Sequence, residues 1–220
     1  LSERALDLTG EVLMPAFTFI ATAHAVRFQE ITPVFCDVIP GTFLIDPEDA
    51  ARRITPRTSA IMGVHVFGRP CDTDALAALA ERHGLHLLFD AAHAFGCTHG
   101  GRPVGAFGDA EVFSFHATKF INAFEGGAVT TDDDALAERL RLLRNFGFVD
   151  YDTVIGVGTN GKMSEMSAAM GLTSLEAMDS IMAHNYANYQ RYKHQLRNLE
   201  GLTLLAYDED EKRNYQYIIV

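Results

Sequence analysis

Apolar and polar positions alternate along this chain in a way that predicts strands and helices in turn. "EVLMPAFTF" reads as a strand up to Pro15, and "ATAHAVRFQE" as a short helix. "TPVFCDV" is again strand-like. "DPEDAARRI" opens a helix, with Asp46 as cap and Pro47 at the first helical position. "TSAIMGVHVFG" is long and apolar enough for a buried strand. "DTDALAALAERHG" is a helix with Asp72 or Asp74 at its start, Leu76 and Leu79 on one face and Gly84 as its stop. "LHLLFDAAHAFG", "AEVFSFH" and "GGAVTT" supply further strands. "DDDALAERLRLLRNFG" is a helix with acids at its start and Arg139, Arg141 and Arg144 toward its end, matching the helix dipole. Strands alternating with helices predict an α/β fold, a three-layer αβα sandwich around a mostly parallel central sheet. Buried parallel strands read as near-continuous apolar runs, as these do.

The texture changes after residue 160. Residues 164–201 are almost purely helical in pattern, rich in Met and Ala at first, then polar and aromatic from Tyr186 to Leu199. The division expected is a large domain over 1–178, then a connecting helix and the beginning of a small α+β domain over 179–220. "LSERALDLTGEV" reads as a helix tail running into a strand, and "NYQYIIV" as a strand. With no Met at position 1, a piece of a longer protein is expected.

Composition narrows the function classes. Hydrophobic residues make up 48% of the 220, enough for a sizeable core. The formal net charge is −11 with no block of Lys and Arg, which argues against nucleic acid as a partner. No apolar run approaches the roughly 20 residues of a membrane helix, and no basic-then-apolar leader is visible. Cys36, Cys71 and Cys97 read as free thiols of a reducing compartment, so a cytoplasmic location is expected. The nine histidines show no metal-binding spacing.

In open α/β sheets, ligands bind outside the carboxyl ends of the strands. The residues there are Phe17, Thr18 and Phe19; His65; Asp90 with His93; and Ser114, His116 and Lys119. Taken singly, Asp90 could cap a helix over "AAHAFG" and Lys119 could be a surface lysine. Taken together they match one cofactor. Pyridoxal phosphate needs a lysine to hold it covalently and a carboxylate against its ring nitrogen. It also needs hydroxyls for its phosphate and a flat side chain against the ring. Ser114 suits the phosphate, Phe19 the ring face, and His93 the ring hydroxyl or face. "GTNGKMSEMSAAMGL" adds a loop that offers Asn160 and Lys162 to an anion. Gly126-Gly127 reads as a tight turn, a weak signal for a phosphate loop.

With these residues assembled, the chain resembles the pyridoxal-phosphate-dependent sugar aminotransferases of the DegT/StrS type, on the aspartate-aminotransferase fold (fold type I). The blocks "MPAFTFIATAHA", "TPVFCDV", "RTSAIMGVHVFGRPCD", "FDAAHAFG", "FSFHATKF…EGGAVTTDD", "LRNFG" and "GTNGKMSEMSAAMGL" stand in the family's order. The resemblance implies Lys119 as the covalent anchor and Asp90 as the partner of the pyridine nitrogen. It implies His93 near the ring hydroxyl, Ser114 on the phosphate and Phe19 stacked on the ring. Asn160 matches an asparagine that reaches the neighbouring subunit's phosphate, which implies a homodimer with shared sites. Lys162 stands where the family has Arg. The family's phosphate-binding turn lies upstream of the first helix and is expected to be missing from this chain. The related dehydratases carry His where Lys119 stands, so transamination is implied. The expected reaction moves an amino group from an amino acid, by analogy L-glutamate, to a nucleotide-linked keto-deoxysugar. C4 of dTDP-4-keto-6-deoxyglucose is expected first, with C3 amination or a non-catalytic, regulatory relative as alternatives.

Overall fold

A computed structural model describes residues 5–220. Most of the helix tail expected at the N-terminus therefore lies outside the described residues. Among the described residues there are eight strands: β1 Glu11–Pro15, β2 Thr32–Cys36, β3 Thr58–Val64, β4 His86–Asp90, β5 Thr98–His99, β6 Arg102–Pro103, β7 Ala110–Ser114 and β8 Gly127–Thr130. Six helices with described bounds accompany them: α1 Ile20–Arg27, α2 Pro47–Arg53, α3 Thr73–His83, α4 Asp134–Arg144, α5 Glu165–Glu176 and α6 Met178–Leu196.

The main sheet has the order β2-β1-β3-β4-β7-β8. Every neighbouring pair is parallel except β7 and β8. Side-chain alternation assigns the two faces. Val12, Met14, Ala60, Met62 and Leu88 pack with Ala23 and Val26 of α1 and Leu136 and Leu143 of α4. The intervening Leu13, Ile61, Leu87 and Phe89 pack with Ala50 of α2 and Leu76, Leu79 and Ala80 of α3. The result is the three-layer αβα sandwich read from the pattern. Leu76 and Leu79 are almost fully buried, and each such side chain contributes roughly 1.5–3 kcal/mol.

Local signals set the helix ends. Asp46, Asp72, Asp133 and Ser164 each accept a backbone N–H in the first turn of α2, α3, α4 and α5. Gly84 closes α3 in the left-handed conformation, at φ 61°.

Four elements differ from the pattern. "TSAIMGVHVFG" ceases to be a strand at Val64 and tightens into a turn over Val66–Gly68, with Phe67 left-handed at φ 58°. No helix follows Asp90; its carboxylate accepts the N–H of Ala92 and caps a turn. The helical stretch after 164 is two helices that meet at Ala177. Residues 214–220 join no ladder, although Leu205 N–H donates to the Ile219 carbonyl.

Gly127 has a packing reason. A Cβ there would stand 2.5 Å from the Phe113 carbonyl oxygen, so only glycine lets β8 pair this closely with β7.

Candidate active site

The strand order places the site. The chain runs from β1 to β2 on one side and returns to β3 on the other, which opens a crevice at the carboxyl ends of β1 and β3. Phe17–Phe19 follow β1, His65 follows β3, Asp90 ends β4 and Ser114 ends β7. All the parallel strands point the same way, so these residues gather at one edge of the sheet. A cavity of about 680 Å³ lies there, lined by Thr18, Phe19, Asp90, His93, Ser114 and Lys119 among others. That size suits a cofactor with part of a substrate. Five of the six predicted site residues therefore meet in one cavity.

Asp90 is held from three sides. Its Oδ2 accepts the Thr22 hydroxyl at 2.7 Å and its Oδ1 accepts the Ala92 N–H at 3.0 Å. Its carbonyl accepts the His65 N–H at 2.9 Å. His65 is itself fixed. Its Nδ1 accepts the Cys71 N–H at 3.0 Å, so Nε2 carries the proton and donates to Glu111 Oε2 at 3.1 Å. Its ring also stacks on Phe89 at 4.7 Å.

His93 lies beyond the turn that follows Asp90. Its Nδ1 accepts the Phe67 N–H at 3.1 Å, which leaves Nε2 as the protonated nitrogen of a neutral ring. Burial, helped by the charge of Lys119 and opposed by Asp90, pushes its pKa from 6.5 down to about 4. At neutral pH it is a hydrogen-bond donor without a charge.

Lys119 follows β7 on a turn closed by its own N–H to the His116 carbonyl at 2.9 Å. The residue is half-buried. Partial burial holds its pKa below the ordinary lysine value, against the opposing pull of the Asp90 charge. It is neither a freely solvated surface lysine nor a sealed one. Ser114 Oγ accepts the His116 N–H at 3.3 Å.

These groups fit pyridoxal phosphate on chemical grounds. The cavity joins a primary amine, a carboxylate, a neutral N–H donor, a hydroxyl and an aromatic face. Asn160 is not among them. It is exposed and bridges to Asn145, while Lys162 donates to Asn145 Oδ1 at 3.2 Å and lies 4.6 Å over the Phe146 ring.

Sequence reasoning missed three contributors. Thr22 reaches Asp90 from the buried face of α1. Phe67 reaches His93 through its main chain. Tyr217 lines the cavity from the C-terminal segment, its ring 4.5 Å from His93. That segment is fastened by Asn214, whose amide donates to the His93 and Phe95 carbonyls, and by Gln216, which donates to the Thr118 carbonyl. The Thr18/Thr22 spacing was a legible hint of the first; nothing local in the sequence signals the last.

A second cavity, about 540 Å³, runs beside β8 and α4, lined by Val129, Leu140, Arg141 and Arg144. It contains none of the groups above. Among the described residues, no cluster of three His, Cys, Asp or Glu is placed to hold a metal ion. No described helix is long and apolar enough to cross a membrane. All three cysteines are buried free thiols.

A sequence model of the DegT/DnrJ/EryC1/StrS aminotransferase family matches residues 1–220. The chain belongs to that family. Among its relatives is a dTDP-4-amino-4,6-dideoxy-D-glucose transaminase of Shigella dysenteriae, 40% identical over 97% of this chain and 58% of that protein. A dTDP-3-amino-3,4,6-trideoxy-alpha-D-glucose transaminase of Streptomyces venezuelae is 41% identical over 88% of this chain and 52% of that protein. The solved structure of DesI, determined in the presence of its TDP-sugar product, superposes with a TM-score of 0.94 at 53% identity. That match covers 99% of this chain and 55% of DesI. The chain thus spans little more than half the length of these family members, and its sheet is the fold type I sheet of the DegT aminotransferases.

Proposed function

We propose that this chain carries the cofactor site of a pyridoxal-phosphate-dependent sugar aminotransferase. Its substrates on this reading are an amino acid donor, L-glutamate, and a nucleotide-linked keto-deoxysugar aminated at C4, dTDP-4-keto-6-deoxyglucose. The observation that carries the reading is the convergence of Lys119, Asp90, His93 and Ser114 on one cavity. The C4 choice is supported by the 40% identical Shigella relative. The C3 alternative has support of similar weight in the Streptomyces relative, so the assay must offer both sugars.

When bound, pyridoxal phosphate supplies an electrophilic carbon and an electron sink. Lys119 is the amine that holds it. When free, the same amine would act as the general base for the proton on the donor's α-carbon and as the general acid that returns that proton. Its lowered proton affinity suits both tasks, because a larger fraction is neutral at pH 7. Asp90 would keep the ring nitrogen protonated by its negative charge. His93 would donate its Nε2–H to the ring oxygen, and Ser114 and Phe19 would hold the phosphate and the ring face.

Asn160 is assigned to the phosphate of a neighbouring subunit in a homodimer. This accounts for its exposed position away from its own cavity. Residues 1–178 are assigned to the cofactor-binding domain and 179–220 to the connecting helix and the opening of a second one.

The test is turnover by the intact protein with glutamate and each of the 4-keto and 3-keto dTDP-sugars. An aminated 4-sugar with release of 2-oxoglutarate is expected. No amination of either sugar with any amino donor would overturn the reading and favour a regulatory relative.

A further inference from the structure

The hydroxyl protons around Asp90 have a fixed order. Thr22 is 4% exposed and its one hydroxyl proton goes to Asp90 Oδ2 at 2.7 Å. The Thr22 oxygen also lies 2.8 Å from the Thr18 hydroxyl. With its own proton spent on the carboxylate, Thr22 can only accept there, so Thr18 donates. The three groups form a directed chain, Thr18 to Thr22 to Asp90. Each donor in such a chain polarises the next, and a hydrogen bond onto a carboxylate is about twice as strong as one between neutral groups. The chain starts at the cavity, which Thr18 lines, and ends on the carboxylate that lines the same cavity.

We propose that Thr18 and Thr22 are positioning residues that orient the Asp90 carboxylate and hold its charge for the ring nitrogen of the cofactor. The inference rests on the function proposed above. With Oδ2 taken by Thr22 and Oδ1 by Ala92, the carboxylate cannot rotate without breaking a bond, and its remaining lone pairs are left for the ligand. The Asp90 charge acts on Lys119 and His93, and the other titratable side chains lining the same cavity are His65, His116 and Tyr217. His93 is neutral at pH 7, so of the pair Lys119 and His93 it is Lys119 that brings a positive charge to Asp90. Once that amine is engaged by the cofactor, the two hydroxyls are the remaining side-chain support of the Asp90 charge.

The test uses the intact protein loaded with ¹⁵N-labelled pyridoxal phosphate, and reads the ring-nitrogen protonation by NMR across pH beside the dissociation constant. Thr22→Val keeps the shape and removes the donor. It should lower the nitrogen's proton affinity about tenfold and weaken cofactor binding by about the same factor. Thr22→Ser should restore both to within about twofold. Thr18→Val, at a half-buried position that does not endanger folding, should shift both in the same direction by about threefold.

A merely structural role would lower the melting temperature and leave the nitrogen's midpoint in place. An unchanged midpoint in both Val variants, or no rescue by Ser, overturns the proposal while the proposed function stands. A wild-type protein that binds no cofactor overturns both.

Discussion

Two carboxylates on neighbouring strands, Glu111 in β7 and Asp90 at the end of β4, live in opposite circumstances. Glu111 is fully buried and saturated. One oxygen accepts His65 Nε2–H, and the other accepts the N–H groups of Gly105 and Phe107 at 2.7 and 2.8 Å. No solvent or ligand reaches it. Asp90 is half-buried, keeps lone pairs toward a cavity and faces the amine of Lys119. A saturated buried acid fastens the sheet, and an unsaturated acid at a cavity is available for chemistry. His65 links the two, since its side chain belongs to the first region and its N–H holds the carbonyl of Asp90.

Substitutions can break this contrast, and the largest effect is expected on the cavity side. Lys119→Ala should reduce amino transfer by at least about 10³-fold, since no other group there can hold the cofactor covalently. The melting temperature should stay near that of wild type. Asp90→Asn keeps the bond to Thr22 but loses the charge; a fall in turnover of about 10²–10³-fold is expected, again with little change in melting. Both rates come from steady-state assays with saturating cofactor.

On the saturated side the signs reverse. Glu111→Ala strands His65 Nε2–H and two backbone N–H groups in the interior, and should cost about 3–5 kcal/mol of stability in denaturant unfolding. Activity per folded molecule should change far less. An Asp90 variant that unfolds, or a Glu111→Ala protein as stable as wild type, would erase the distinction.

The smallest expected effect is one of pH. His93 has a folded pKa near 4 against 6.5 unfolded, so the unfolded chain binds the extra proton between these values. Its contribution to stability is whole above pH 6.5 and is lost as pH falls toward 4. The melting temperature should decline over that window, and His93→Gln should flatten the decline. An equal decline in the variant would place the responsible group elsewhere.

Most of the sheet was legible because buried parallel strands are apolar runs, and a polar residue that ends such a run must lie at the sheet's edge. That logic reaches Asp90, Ser114 and Lys119 without any knowledge of packing. It does not reach the antiparallel direction of β8, because Gly126-Gly127 marks a turn but not which way the next strand runs. Glu111 did leave a trace, an acid inside the apolar run "AEVFSFH", and a buried acid demands partners. Those partners, His65 and the Gly105–Phe107 turn, come from other elements and cannot be read from the strand. Tyr217 comes from almost 100 residues after Lys119 and is placed only by the docking of its segment.

The account's central claim is that Lys119 is an anchoring amine, although it is one of four lysines in the chain. The direct measurement is borohydride reduction of the intact protein with pyridoxal phosphate, followed by mass mapping of the modified peptide. The account predicts one adduct, on Lys119, absent from Lys119→Ala. No adduct, or an adduct on Lys162, Lys193 or Lys212 instead, would contradict it.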